Sequence, residues 1–112
     1  MNTLYVNTHE ERVLAELKTV LTQHLGDKLH RMILFGSKAR GDAEPHSDID
    51  VAIIVDGMDR QLKREILDIV ADIELTYLMP ISALVFSKNE FDHLLNRERR
   101  IALDIVNEGI AL

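Results

Sequence analysis

Apolar and polar positions alternate along this chain with two distinct periods. From His9 to about Leu25, the residues Val13, Leu14, Leu17, Val20, Leu21 and Leu25 recur at helical spacing, and Gly26 is a natural stop. His30 to Phe35 (HRMILF) is a short apolar run ending at Gly36, which predicts a buried strand entering a tight turn. A polar, breaker-rich stretch follows, Ser37 to Asp50. Asp48 to Val55 (DIDVAIIV), rich in β-branched residues, predicts a second strand that stops near Asp56-Gly57. From Asp59 to about Met79, Leu62, Ile66, Ile69, Val70, Ile73 and Tyr77 mark one helical face, ended by Pro80. Ile81 to Phe86 is a third strand, and Ser87 with Glu90 forms a capping box for a helix through Phe91 and Leu95. A last helical stretch, about Arg97 to Asn107, ends at Gly109 before an apolar tail, Ile110 to Leu112. This order predicts an α/β fold, a small mixed β-sheet flanked by helices. Residues 1–8 read as a flexible arm and 9–112 as a single domain.

Composition narrows the chemistry. With 112 residues, 46% hydrophobic and 29% charged, the chain has globular proportions and room for one modest core. It has no cysteine, which excludes disulfides, thiolate metal sites and cysteine nucleophiles. A net charge of −6 works against gripping a polyanion, and 4% aromatics without Trp leave little for base stacking, so direct nucleic-acid binding is not expected. The N-terminus lacks the features of a signal peptide, and no apolar run approaches the roughly 20 residues needed to span a bilayer, so a cytoplasmic location without membrane contact is expected.

The segment Gly36 to Asp50, GSKARGDAEPHSDID, holds the candidate chemistry. Asp48 and Asp50 stand two apart at the start of a strand, so both carboxylates can project to one side and converge on a hard cation such as Mg²⁺. Gly36 lets backbone approach a phosphate closely, and Ser37 offers a hydroxyl at the head of a short helix. Lys38 or Arg40 could add positive charge; either could instead tie the loop down through Asp42 or Glu44, and Arg40 fits that structural role better. Ser47 stands before the acids as a turn residue or a phosphate contact. An isolated Asp-x-Asp is more often a strand start with exposed acids. Gly-Ser after an apolar strand, ten residues, then Asp-x-Asp opening another apolar strand is a far more specific combination. The histidines His9, His24, His30, His46 and His93 show no metal-ligand spacing, and the cluster Arg97, Arg99 and Arg100 reads as a solvated helix face.

On these residues, GSKARGDAEPHSDID resembles the signature of the minimal nucleotidyltransferase branch of the DNA polymerase β-like superfamily, and the flanking helices and strands fall where that fold places them. The resemblance implies that Gly36 and Ser37, with Lys38 and Ser47, hold the phosphates of ATP. It implies that Asp48 and Asp50 are the catalytic acids and hold Mg²⁺, and that a substrate hydroxyl attacks the α-phosphorus with pyrophosphate leaving. The family usually carries a third acid on the next strand. ISALVF has none, and Ser82 is the expected occupant; Asp72, Glu74 and Glu90 are acids nearby in sequence, and none is a convincing substitute.

Small members of this branch resemble the antitoxin of two-gene modules that transfers AMP to a tyrosine of a HEPN-type ribonuclease toxin. That implies an antitoxin acting in a hetero-oligomer with its toxin. A chain of this size has no space for its own acceptor domain, which favours a protein acceptor. Two other readings stay open: an antitoxin that blocks its toxin by binding alone, and a stand-alone transferase for a small-molecule acceptor.

Overall fold

The computed structural model describes residues 6–44 and 46–112. Helix α1 (Thr8–Leu25) begins one residue earlier than its apolar periodicity predicts, because Asn7 caps it. Asn7 Oδ1 accepts the Glu10 N–H at 2.8 Å, and Glu10 Oε1 accepts the Asn7 N–H at 2.9 Å, a reciprocal capping box. The arm expected over residues 1–8 is therefore helical at Thr8, and its first five residues lie outside the described ones. A 3-10 turn leads into β1 (Leu29–Phe35), which is followed by the single-turn helix α2 (Ser37–Arg40) and by β2 (Ile49–Val55). Next come α3 (Arg60–Tyr77), β3 (Ile81–Ser87), α4 (Lys88–Asn96), α5 (Arg100–Glu108) and β4 (Ile110–Ala111).

The four strands form one mixed sheet in the order β3-β2-β1-β4, with β1 antiparallel to β2 and β4, and β2 parallel to β3. Parallel pairing needs a crossover, and α3 supplies it. Side-chain alternation along β2 sorts the two layers. Ile49, Val51, Ile53 and Val55 point into the larger core beneath α1 and α3, where Leu17, Leu21, Ile66 and Val70 meet them. Ala52 and Ile54 point to the other face, against Phe91, Ala102 and Ile105 of α4 and α5. Asp50, the sole polar residue of β2, shares this second face by alternation. His24 and Glu65, 2.7 Å apart, and His9 with the Tyr77 carbonyl join α1 to α3 at the surface, so these two histidines are structural.

The C-terminal elements also differ from the sequence expectation. The apolar tail is not a loose end: Ile110 pairs with Leu34, and the Leu112 N–H donates to the Met32 carbonyl at 2.9 Å. A run of two residues carries too little pattern to be read as a strand, and β1 offers it an open edge. The helical stretch expected from Arg97 starts at Arg100, because Glu98 takes a positive φ of 54° and separates α4 from α5. Among the described residues, no helix is long and apolar enough to cross a membrane.

Candidate active site

The last residue of β1 pairs with Asp50, so the chain turns at Gly36 directly beside this carboxylate. Gly36 has φ 74° and ψ −157°, a conformation essentially reserved for glycine. A β-carbon there would lie 2.3 Å from Asp50 Oδ2. Glycine is required twice over, by the backbone turn and by the space the carboxylate occupies. The turn opens α2 at once, as the Ala39 and Arg40 N–H groups both donate to the Gly36 carbonyl at 3.1 Å. Ser37 is thereby placed at the head of this helix, as expected, next to the Gly36–Asp50 contact.

Asp48 lies one residue before β2 and is exposed, while Asp50 is half-buried within the strand. The strand expected to open at Asp48 opens instead at Ile49, whose N–H donates to the Pro80 carbonyl at 3.1 Å. Asp48 is still near enough for its charge to act on Asp50. Partial burial, and then the charge of Asp48, raise the Asp50 carboxyl above its ordinary value of 3.8. Arg40, the Ser82 side chain within hydrogen-bonding reach, and Lys38 draw it partway back. Two like charges held together at a protein surface form an unbalanced site that a cation would balance. All the donors are hard carboxylate or hydroxyl oxygens, a set that fits Mg²⁺. Among the described residues, no third His, Cys, Asp or Glu joins them in a metal-binding group.

Ser82, the expected occupant of a third acid's place, lies beside Asp50 on the neighbouring strand. In the parallel register Asp50 pairs with Ser82, so the β3 position beside Asp50 carries a hydroxyl. The acids considered as substitutes have other tasks. Glu74 Oε2 accepts the Ile81 N–H at 2.9 Å, tying the start of β3 to α3. Glu90 closes the capping box of α4, which holds its carboxyl below the ordinary range, and Asp72 is exposed on α3.

The loop residues divide between site and scaffold. Lys38, expected to meet phosphate, is spent elsewhere: its ammonium is bonded to Glu10 of α1, and the two side chains are 5% and 7% exposed. That expectation is corrected to a structural role, because a buried lysine is tolerated only with a paired counter-charge. Glu10 thus joins the cap of α1 to the turn after β1; the Asn7–Glu10 spacing signalled the cap, while nothing local signalled the pairing with Lys38. Arg40 is structural, as expected, with Nε on Asp42 at 3.2 Å; its Nη1 also reaches Glu108 of α5 at 3.0 Å, which sequence could not show. The Ser47 hydroxyl accepts the Glu44 N–H at 3.0 Å and closes the loop ahead of the acids.

Comparisons with known proteins identify the family and the fold. A family model described as a nucleotidyltransferase domain matches residues 14–111. Two Methanocaldococcus jannaschii proteins named putative protein adenylyltransferases are similar. One is 40% identical over 77 residues, 68% of this chain and 78% of that protein. The other is 33% identical over 88 residues, 79% of this chain and 84% of that protein. The fold also matches a crystal structure of a putative nucleotidyltransferase from Sulfolobus solfataricus, with a TM-score of 0.50 at 19% identity, covering 95% of this chain and 86% of that one. A second match, with a TM-score of 0.52 at 21% identity over 86% of this chain and 70% of that one, is the toxin-antitoxin MntA-HpeT carrying two Asp-to-Glu changes two positions apart. A toxin-antitoxin crystallised with AMP-PNP matches at a TM-score of 0.50 and 22% identity, over 85% of this chain and 68% of that one.

Proposed function

The chain belongs to the nucleotidyltransferase domain family, and from that premise we propose that it is an antitoxin that transfers AMP from ATP to a tyrosine hydroxyl of a cognate HEPN-type toxin. The observation that carries this reading is the packing of the Gly36 turn against Asp50, with the Asp48 charge beside it. On this reading the Gly36 turn is the phosphate cradle and the two neighbouring carboxylates are the cation site. Gly36 and Ser37 hold the β- and γ-phosphates, and Asp48 and Asp50 hold Mg²⁺. The bound metal supplies charge neutralisation for the triphosphate and polarises the α-phosphoryl group. The tyrosine oxygen bonds to the α-phosphorus as the bond to the bridging oxygen breaks, pyrophosphate leaves, and the hydroxyl proton passes to solvent. Ser82 stands where a carboxylate would otherwise take that proton.

A protein acceptor is supported by the names of the two archaeal relatives. A toxin as that acceptor, and ATP as donor, are supported by the complexes that share the fold, one of which holds AMP-PNP. The cytoplasm, which supplies ATP and Mg²⁺, is the location this reading requires. The test mixes the chain, Mg²⁺ and the protein encoded beside it with ATP labelled at the α- or the γ-phosphate. Label on the protein from the α-position alone, lost in Asp48→Asn/Asp50→Asn, is the expected result; label from neither position rejects transfer. Ser82 opposite Asp50 favours a second reading, in which the scaffold silences the toxin by binding without catalysis.

A further inference from the structure

Helix α3 buries Ile66, Val70 and Ile73 against the sheet, yet its outer side carries a second apolar row. Leu67, Ala71, Leu75 and Leu78 follow one another at spacings that keep them on one side of a helix, and all four are exposed. Leu75 is 73% and Leu78 85% exposed. Near the helix end the row opens into a groove of about 450 Å³, lined by Leu75, Leu78, Met79 and Pro80 with Glu74 at its border. Leu78 also takes a left-handed φ of 51° at the helix C-terminus, where Gly or Asn is the usual occupant. The left-handed turn ends the helix, as the Leu78 and Met79 N–H groups both donate to the Glu74 carbonyl, but nothing among the described residues explains a bulky apolar side chain held there in water.

The position of the groove is specific. Pro80 bonds to Ile49, next to Asp48, and two residues further on Ser82 pairs with Asp50. The sheet order β3-β2-β1 sets this groove and the Gly36–Ser37 turn on opposite flanks of Asp50. In an in-line displacement the entering oxygen approaches opposite the leaving one. With the leaving phosphates on the β1 flank, the β3 flank is left open to the acceptor; the groove lies on that flank in the α3 layer, at the end of β2 that carries Asp48, while Asp50 faces the α4–α5 layer.

We propose that this groove docks the acceptor protein, through an apolar segment of the partner bordered by basic side chains. Exposed Asp68 and Asp72 border the apolar row and exposed Asp48 stands beyond Pro80, which gives the partner's rim its sign. The identity of the occupant rests on the adenylyl-transfer reading; the docking surface is tested apart from it. The protein encoded beside this chain is titrated against the purified chain without ATP. Leu75→Asp with Leu78→Asp weakens the complex about 30-fold or more, as loss of central apolar anchors does, while the thermal melt and ATP affinity are unchanged. Asp72→Lys, which leaves the apolar row intact, weakens it less. Undiminished affinity of the double leucine variant overturns the docking site, and so does the absence of any complex with the unaltered chain. A groove-dependent complex that takes no label from α-labelled ATP upholds the docking site and overturns adenylyl transfer.

Discussion

At Gly36 a single missing carbon decides whether the site exists. Alanine there would place its β-carbon 2.3 Å from Asp50 Oδ2 in a backbone region that L-residues avoid. Gly36→Ala is expected to lower stability by about 2 kcal/mol, within the range for a residue forced into a sparsely populated conformation, and to abolish transfer. Chemical denaturation beside label transfer checks both. Asp50 makes a prediction with the opposite sign. Its carboxyl is raised by burial and by Asp48, so the folded chain keeps a proton at pH values where the unfolded chain has lost it. Folding stability therefore falls as pH rises from the ordinary value of 3.8 through the raised one. Asp50→Asn removes that loss. Without divalent metal the variant should be the more stable at pH 7, the difference should close below the ordinary value, and Mg²⁺ should stabilise the parent but not the variant. Melting curves across pH with and without Mg²⁺ read all three. Leu78→Gly likewise should stabilise the free chain by about 1 kcal/mol, since glycine carries no left-handed penalty, while it weakens the complex with the partner.

Between elements, the buried Glu10–Lys38 pair joins α1 to the turn that carries Ser37. Lys38→Ala strands the Glu10 charge in the interior and is expected to cost about 3–5 kcal/mol, whereas Glu10→Gln with Lys38→Met removes both charges and should recover most of that loss. Chemical denaturation of Lys38→Ala, Lys38→Met, Glu10→Gln and the Glu10→Gln/Lys38→Met double separates these outcomes. This pair also marks the boundary of what the sequence discloses. The helices and strands with long apolar patterns were legible, because Val13 to Leu25 and Leu62 to Tyr77 each turn one face to a core and Ile49 to Val55 is apolar on both faces, between two cores. The proximity of Asp48 to Asp50 was legible too, since residues two apart are close along the chain. Contacts between distant elements were not legible: Lys38 to Glu10, Arg40 to Glu108 and Ile110 to Leu34 depend on how elements pack, and no local pattern encodes them. Leu75 and Leu78 lie off the buried stripe of α3, and only the structure shows that nothing in the described chain covers them.

For the molecule as a whole, the sheet order separates two tasks. On the proposed reading, nucleotide chemistry uses the Gly36–Ser37 turn on the β1 flank and partner binding the apolar row of α3 on the β3 flank, so the two should be removable one at a time. Asp48→Asn/Asp50→Asn touches neither Leu75 nor Leu78 and should leave partner affinity within a few-fold of the parent. What it changes is stoichiometry. An enzyme modifies many partner molecules in turn, so with ATP and Mg²⁺ a small fraction of the parent chain should silence an excess of toxin, and the silenced toxin should stay so after the chain is removed. A chain that acts by covering its partner must match it mole for mole, with or without ATP, and releases active toxin when it dissociates. Titrating toxin activity against parent and double variant distinguishes them: a substoichiometric endpoint for the parent beside an equimolar one for the variant is expected. Equimolar endpoints for both, unaffected by ATP, would make Ser82 the mark of a scaffold that has given up transfer and kept its grip.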